Sequence, residues 1–301
     1  MLERAKRGRK LGEKTALFSG NRDHFGMSSA RLTRLRSICA SLPGKSSVKP
    51  HFSALLSALS SPSPPPIPLN STTILKDPSA PLSPDCIRLY LIRHGEGEHN
   101  AFFSSTGLDA THPDCPVDPR LTAKGVSQAL DASPIIRSAP PPTLCVVSPL
   151  RRATQTALLA FSHVAPGSSR SAVWEAWLEC AEESNGCRCD IVSDPAVLKG
   201  EFGGIEYASI PFNSASRDAE LIAPGVPLLE SKMSLIERCS AFLSRVKESP
   251  HKVIAVGTHS QWLQALHVAC LDTDEECLEE SVEWYGTGEL RAVDIRFNKT
   301  S

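Results

Sequence analysis

Between Met27 and Lys76 the 301-residue chain contains no aspartate or glutamate. It also lacks any apolar run near the ~18 residues of a membrane span. LLSAL at 55–59 is far too short, which excludes a membrane-spanning helix. Ten cysteines in this length fall well below a disulfide scaffold, and their irregular spacing reads as reduced thiols. Cys180, Cys187 and Cys189 lack the C-x-x-C spacing of a four-ligand zinc site. His99 with His94, Glu96 or Glu98 lacks the His-Glu-x-x-His spacing of zinc proteases. Net charge is nearly absent too, at −1.

That balance hides an asymmetry. Residues 1–50 hold 12 Lys/Arg against 3 Asp/Glu, and the rest holds 20 against 30. A basic arm precedes an acidic body, and such a body offers no overall field to attract nucleic acid. Residues 1–84 read as a disordered, basic, Ser/Pro-rich arm, with SSPSPPPIPLN at 60–70 unable to form helix or central strand. The acid-free, Arg/Ser-rich stretch has the composition of an organelle transit peptide, for chloroplast or mitochondrion. Glu3, Glu13 and Asp23 interrupt the pattern, and Met27 offers an internal start. The alternative is a plain arm on a cytoplasmic protein.

From Cys86 the pattern becomes α/β. CIRLYLI (86–92), TLCVV (143–147), KVIAV (252–256) and the alternating ELRAVDIRF (289–297) read as strands. LTAKGVSQALDASPII (121–136) reads as a helix capped by its Thr. Ser148 is a candidate N-cap, with Pro149 opening a helix to about Phe161, and another helix spans about 260–269. Alternating strands and helices imply a mainly parallel sheet covered on both faces. Trp174 and Trp177, at helical spacing, are core candidates.

His94, Arg152 and His259 each lie just past a strand or in the first turn of the next helix. In a parallel sheet such places share the carboxyl edge, where ligands bind. Arg93, His94, Arg152 and His259 would meet there. Guanidinium forks match phosphate oxygens, and helix N-termini add unsatisfied N–H groups. Neighbouring cations push an imidazole pKa down, leaving a nitrogen free to attack phosphorus. A carboxyl beside the phosphate is pushed the other way and stays protonated as a general acid. Glu179, Glu182 and Glu183 in WLECAEESNGCRCD are the candidates.

LIRHGEGEHN (91–100) resembles the Arg-His-Gly signature of the histidine phosphatase superfamily, the phosphoglycerate mutase-like proteins. DPRLTAKGVSQA (118–129) is similar to its Leu-Thr-x-x-Gly-x-x-Gln-Ala helix start, and SPLRRATQTA (148–157) to its second arginine motif. VGTHSQWL (256–263) resembles the turn that bears its second histidine. Order and spacing fit over roughly 86–297, in a domain set at 85–301. The resemblance implies a three-layer α/β/α sandwich with a mainly parallel central sheet. It implies His94 as the phosphorylated nucleophile, and Arg93, Arg152 and His259 on the phosphoryl group. It also implies Asn100 as an orienting residue, with no metal and no cofactor. In several branches the acid precedes a Cys-Asp pair by six residues, which selects Glu183 ahead of Glu179.

The Leu-Asn-x-Arg-His-Tyr-Gly stretch of phosphoglycerate mutases is missing from AEESNGCRCD. This favours a phosphatase over a mutase or a non-catalytic phosphate-binding module. Ser260 and Gly97 stand where the family more often has Gly and mutases often have Ser. Residues 201–232, which roof the pocket in the family, carry only Arg217 and Lys232 as bases. A bisphosphate would want more cations, so a small monophosphate ester or a phosphopeptide is expected. Arg151 reads as a solvated neighbour, and His112, His163, His251 and His267 as structural or surface residues.

Overall fold

The computed structural model describes residues 27–42, 48–60, 69–208, 210, 221–223, 226–227, 229–274 and 276–297. Residues 1–26 of the leader, most of the Pro/Ser stretch, and Arg217 of the expected roof lie outside the described residues. In chain order the elements are α1 (Ser29–Ser41), α2 (Val48–Leu59), β1 (Asn70–Leu75), β2 (Cys86–Arg93), α3 (Glu98–Thr106) and α4 (Ala123–Arg137). Next come β3 (Leu144–Val147), α5 (Arg151–Ala160), β4 (Val173–Ala176), α6 (Pro195–Glu201), β5 (Leu221–Ala223), β6 (Val226–Pro227) and α7 (Lys232–Glu248). The last are β7 (Val253–Thr258), α8 (Ser260–Ala269), β8 (Leu271–Thr273), α9 (Leu278–Val282) and β9 (Leu290–Arg296).

Seven strands form one sheet in the order β4-β3-β7-β2-β9-β1-β8. Only β9 runs against its neighbours β2 and β1, and the other pairings are parallel. The central strands are buried on both faces, as parallel strands under two helical layers must be. Leu89 and Leu91 of β2 join one core with α1, α2, α7 and α8. Tyr90 and Ile92 point the other way, into the core under α4, α5 and α6. This is the expected α/β/α sandwich. Buried Arg88 within β2 is matched by its register partner Asp294 on β9, through Nε–Oδ1 at 2.7 Å and Nη2–Oδ2 at 2.9 Å.

Three expectations need correction. The arm read as disordered to residue 84 is folded over much of its length. α2 packs on α7 and α8 and α1 packs on α2, with Leu35, Phe52 and Leu55 fully buried, and β1 inserts between β9 and β8. Arg31 anchors α1 by donating to the carbonyl of Leu271 at 2.6 Å and to Asp272 at 3.1 Å. Trp174 and Trp177 are core, as expected, but strand β4 and the turn after it carry them, into opposite cores. Ser148 does not cap α5, whose N-cap is Leu150. Thr122 does cap α4, accepting from Gly125 N at 3.1 Å.

Candidate active site

Registers place the chemistry. Arg93 of β2 pairs with Thr258 of β7, and Val147 of β3 with Gly257. The three strands therefore end level, and the residues just beyond them, His94, Ser148 and His259, share one edge. His94 is bound in by its own N–H, which donates to Thr258 O at 2.9 Å.

The loop carrying His94 is fixed by residues from the neighbouring motifs. Gly95 N donates to Thr156 Oγ1 at 3.0 Å, and Glu96 N to Gln128 Oε1 at 2.8 Å. Thr122 Oγ1 donates to Glu96 Oε1 at 2.9 Å. Gly95 and Gly125 are glycines because the loop lies flat on the first turn of α4. A Cβ on Gly95 would come within 2.3 Å of Gly125 O, and one on Gly125 within 2.1 Å of Glu96 O. Asn100 accepts from Gly97 N at 2.9 Å, so its carbonyl oxygen fixes this loop. Its expected part in orienting phosphate falls to its amide nitrogen alone.

His94 is 3% exposed, and its Nδ1–H donates to Gly95 O at 2.7 Å. That bond leaves Nε2 unprotonated, 3.4 Å from Arg152 Nε. Burial, then Arg152 and Arg93, holds the imidazole well below its ordinary pKa. Arg152, in the first turn of α5, donates from Nη1 to Cys189 O and from Nη2 to Asp190 Oδ1, both at 2.7 Å. Burial opposes its charge, but Asp190, Cys189 and Glu182 together outweigh that and its pKa is raised. His259 Nδ1 lies 3.3 Å from Arg152 Nη2 and its Nε2 lies 2.7 Å from Ser148 Oγ. The guanidinium can only donate, so Nδ1 accepts and Nε2–H donates to Ser148. The rings of His94 and His259 are 5.1 Å apart. Arg93 donates from Nη1 to Tyr285 O at 2.6 Å, and its guanidinium lies 6.0 Å from the Trp284 ring. Its Nε is buried and has no partner among the described residues. Arg93, His94, Arg152 and His259 thus meet as the sequence implies.

Glu183 does not belong to this cluster. It is buried, with its carboxylate paired to Lys232 and 3.1 Å from His51 Nδ1. Burial would raise its pKa, but His51 and Lys232 bring it below the ordinary value. That is the wrong state for a proton donor. Lys232 is spent on this pair and does not stand at the rim as a substrate cation. The neighbouring Glu182 has the required character. Burial, then Asp190, raises its pKa to about 7. Its carboxylate accepts from Trp262 N at 3.2 Å and from Ser260 Oγ at 3.5 Å, at the start of α8 beside His259. Glu179 pairs with Arg245 at 3.4 Å, away from the cluster.

Two residues enter the site unannounced. Ser148 orients His259, a role the sequence hid behind a plausible cap. His99 is 6% exposed, with its ring 5.7 Å from that of His94. Burial, Arg152 and Arg93 lower its pKa to about 2, so it faces the pocket neutral. Arg151 pairs with Asp118 and Glu201 and is structural. Among the described residues no group of His, Cys, Asp and Glu is arranged to hold a metal ion.

A family model described as the histidine phosphatase superfamily (branch 1) matches residues 89–181. The match covers three of the four motifs that carry the resemblance. A probable phosphoglycerate mutase from Proteus mirabilis is 25% identical over 183 residues, 60% of this chain and 69% of that protein. An Escherichia coli structure titled a putative α-ribazole-5'-phosphate phosphatase is 23% identical, with TM-score 0.43, covering 69% of this chain and 90% of that one. A mycobacterial glucosyl-3-phosphoglycerate phosphatase in complex with VO3 is 20% identical, with TM-score 0.42, covering 68% and 92%. This similarity supports phosphatase or mutase activity as the class of chemistry.

Proposed function

We propose that this protein is a histidine phosphatase superfamily member, a metal-independent phosphatase that hydrolyses a phosphomonoester through a phosphohistidine on His94. The observation that carries the reading is the bare Nε2 of His94, held unprotonated by the bond from Nδ1–H to Gly95 O and ringed by Arg93, Arg152 and His259. In the first step Nε2 attacks phosphorus and the ester oxygen leaves, taking the proton of Glu182. In the second, the Glu182 carboxylate takes a proton from water as its oxygen attacks the phosphohistidine, releasing phosphate and His94. The cationic side chains meet the charge of the transferring phosphoryl group. Glu182 replaces Glu183 as the acid because its pKa near 7 keeps the proton available at neutral pH.

Hydrolysis is favoured over mutase transfer because the mutase stretch around the acid glutamate is missing from residues 181–190. The substrate is a small monophosphate ester or a phosphopeptide; the acid-free stretch that suggested an organelle leader is itself folded, as α1 and α2. Any such leader ends before Met27, since α1 and α2 are part of the core. The test is p-nitrophenyl phosphate turnover with EDTA present, for wild type and His94→Ala. Arg152→Ala should lose on the order of 10²–10³ in rate. Undiminished phosphate release by His94→Ala would overturn the proposal, and an isomerised phosphoester in place of free phosphate would make the protein a mutase.

A further inference from the structure

The helical hairpin of α1 and α2 reaches the acid loop. His51 of α2 is 7% exposed, although histidine usually sits nearer solvent. Its Nδ1 lies 3.1 Å from Glu183 Oε2 and 2.8 Å from Lys232 Nζ, so it sits within the Glu183–Lys232 pair. Its ring stands edge-on to Trp284 at 6.0 Å, and Trp284 lies beside Arg93 at the same distance. One side chain from the N-terminal hairpin therefore touches the neighbours of both the acid and a phosphate-binding arginine.

The two glutamates point apart. Glu182 turns to the start of α8, and Glu183 turns to α2 and α7. Consecutive side chains share a backbone, so clamping the second fixes where the first can reach. Glu183 N also donates to Glu182 Oε1 at 3.0 Å. The same loop is held again from α7. Arg238 donates to the carbonyls of Ala181 at 3.0 Å and Glu182 at 3.2 Å while paired with buried Glu230. Two elements, α2 and α7, thus grip residues 181–183 from behind, and the more distant in sequence is α2.

We propose that His51 and Glu183 are positioning residues for the acid, which makes the N-terminal hairpin part of the catalytic apparatus. This rests on the reading of Glu182 as the general acid. When Glu183 loses its charge, or His51 its ring nitrogen, the loop relaxes and Glu182 no longer sits where the ester oxygen departs. The nucleophile and the arginines keep their own anchors.

The test compares two leaving groups in the full chain. Glycerol 2-phosphate expels an alkoxide that needs a proton, whereas p-nitrophenyl phosphate expels a stable phenolate that does not. For Glu183→Gln and His51→Phe, kcat/KM on glycerol 2-phosphate, which reports the first step, should fall about 10- to 100-fold, a large share of what general acid catalysis contributes. On p-nitrophenyl phosphate kcat/KM should fall far less, because the second step, which also uses Glu182 and is common to both substrates, does not enter it. His51→Gln, whose amide can accept from Lys232 and donate to Glu183, should recover much of the loss. Circular dichroism and the melting temperature identify which variants fold, and either one alone suffices. An equal loss on both substrates in a folded variant, or no loss on either, would overturn the positioning role. Glu182→Gln separates this from the underlying reading. If it leaves the ratio of the two substrates unchanged, the acid assignment itself fails. If it shifts the ratio while Glu183→Gln and His51→Phe do not, only the mounting fails.

Discussion

Replacing Phe52 by alanine decides whether the N-terminal segment is an arm or a piece of the core. Phe52 is fully buried, in one cluster with Leu55, Leu56, Leu59 and residues of α7 and α8. Removing a buried phenyl ring costs the transfer free energy of its carbons and leaves a cavity, about 3–5 kcal/mol together. In a domain this size each kcal/mol lowers the melting temperature by about 2–4 °C, so a shift of roughly 6–20 °C is expected. Urea unfolding read by tryptophan fluorescence measures it, because Trp262 on α8 belongs to the same cluster. Ser53, exposed on the same helix, supplies the control. Ser53→Ala should stay within about 0.5 kcal/mol of wild type. A Phe52→Ala variant as stable as that control would refute the packing of α2.

Three further outcomes are expected. The acid form of Glu182 is lost as pH rises through about 7, so kcat/KM on an alkyl phosphate should fall above that pH. His94, held neutral, adds no loss on the acid side near pH 6.5, and the same falling limb in Glu182→Gln would exclude this assignment. His267 is buried against the Tyr285 hydroxyl at 2.9 Å, and its pKa is lowered by burial to about 3. The unfolded chain takes up that proton below about pH 6.5 and the folded one does not, so stability falls as pH falls, by about 2 kcal/mol between pH 7 and 5. Urea titrations at the two values should show that share missing in His267→Phe. Gly125→Ala sets a methyl group into the carbonyl of Glu96. It should cost about 1–3 kcal/mol by overpacking and lower kcat by displacing the His94 loop, whereas unchanged kinetics would show the loop held elsewhere.

The sequence alone determined the strands that carry the site and the residues at their ends. A strand buried on both faces is apolar almost throughout, Arg88 being held there only by its pair with Asp294, and each such run stops where its side chains meet the pocket. That is why Arg93, His94 and His259 stood out as polar residues at the ends of apolar runs. The helices α1 and α2 were legible in principle, since Phe52, Leu55, Leu56 and Leu59 repeat at helical spacing. Their acid-free, basic composition pointed instead to an unfolded leader.

Only the tertiary structure distinguishes Glu182 from Glu183. Adjacent residues with the same carboxylate look alike in one dimension. Their protons are governed by what lies across space: Lys232 and His51 for one, Asp190 and the start of α8 for the other. Nor could spacing show that Ser148 would orient His259, or that α2 would hold the acid loop. Those contacts join segments more than a hundred residues apart, and folding alone sets the distance between them.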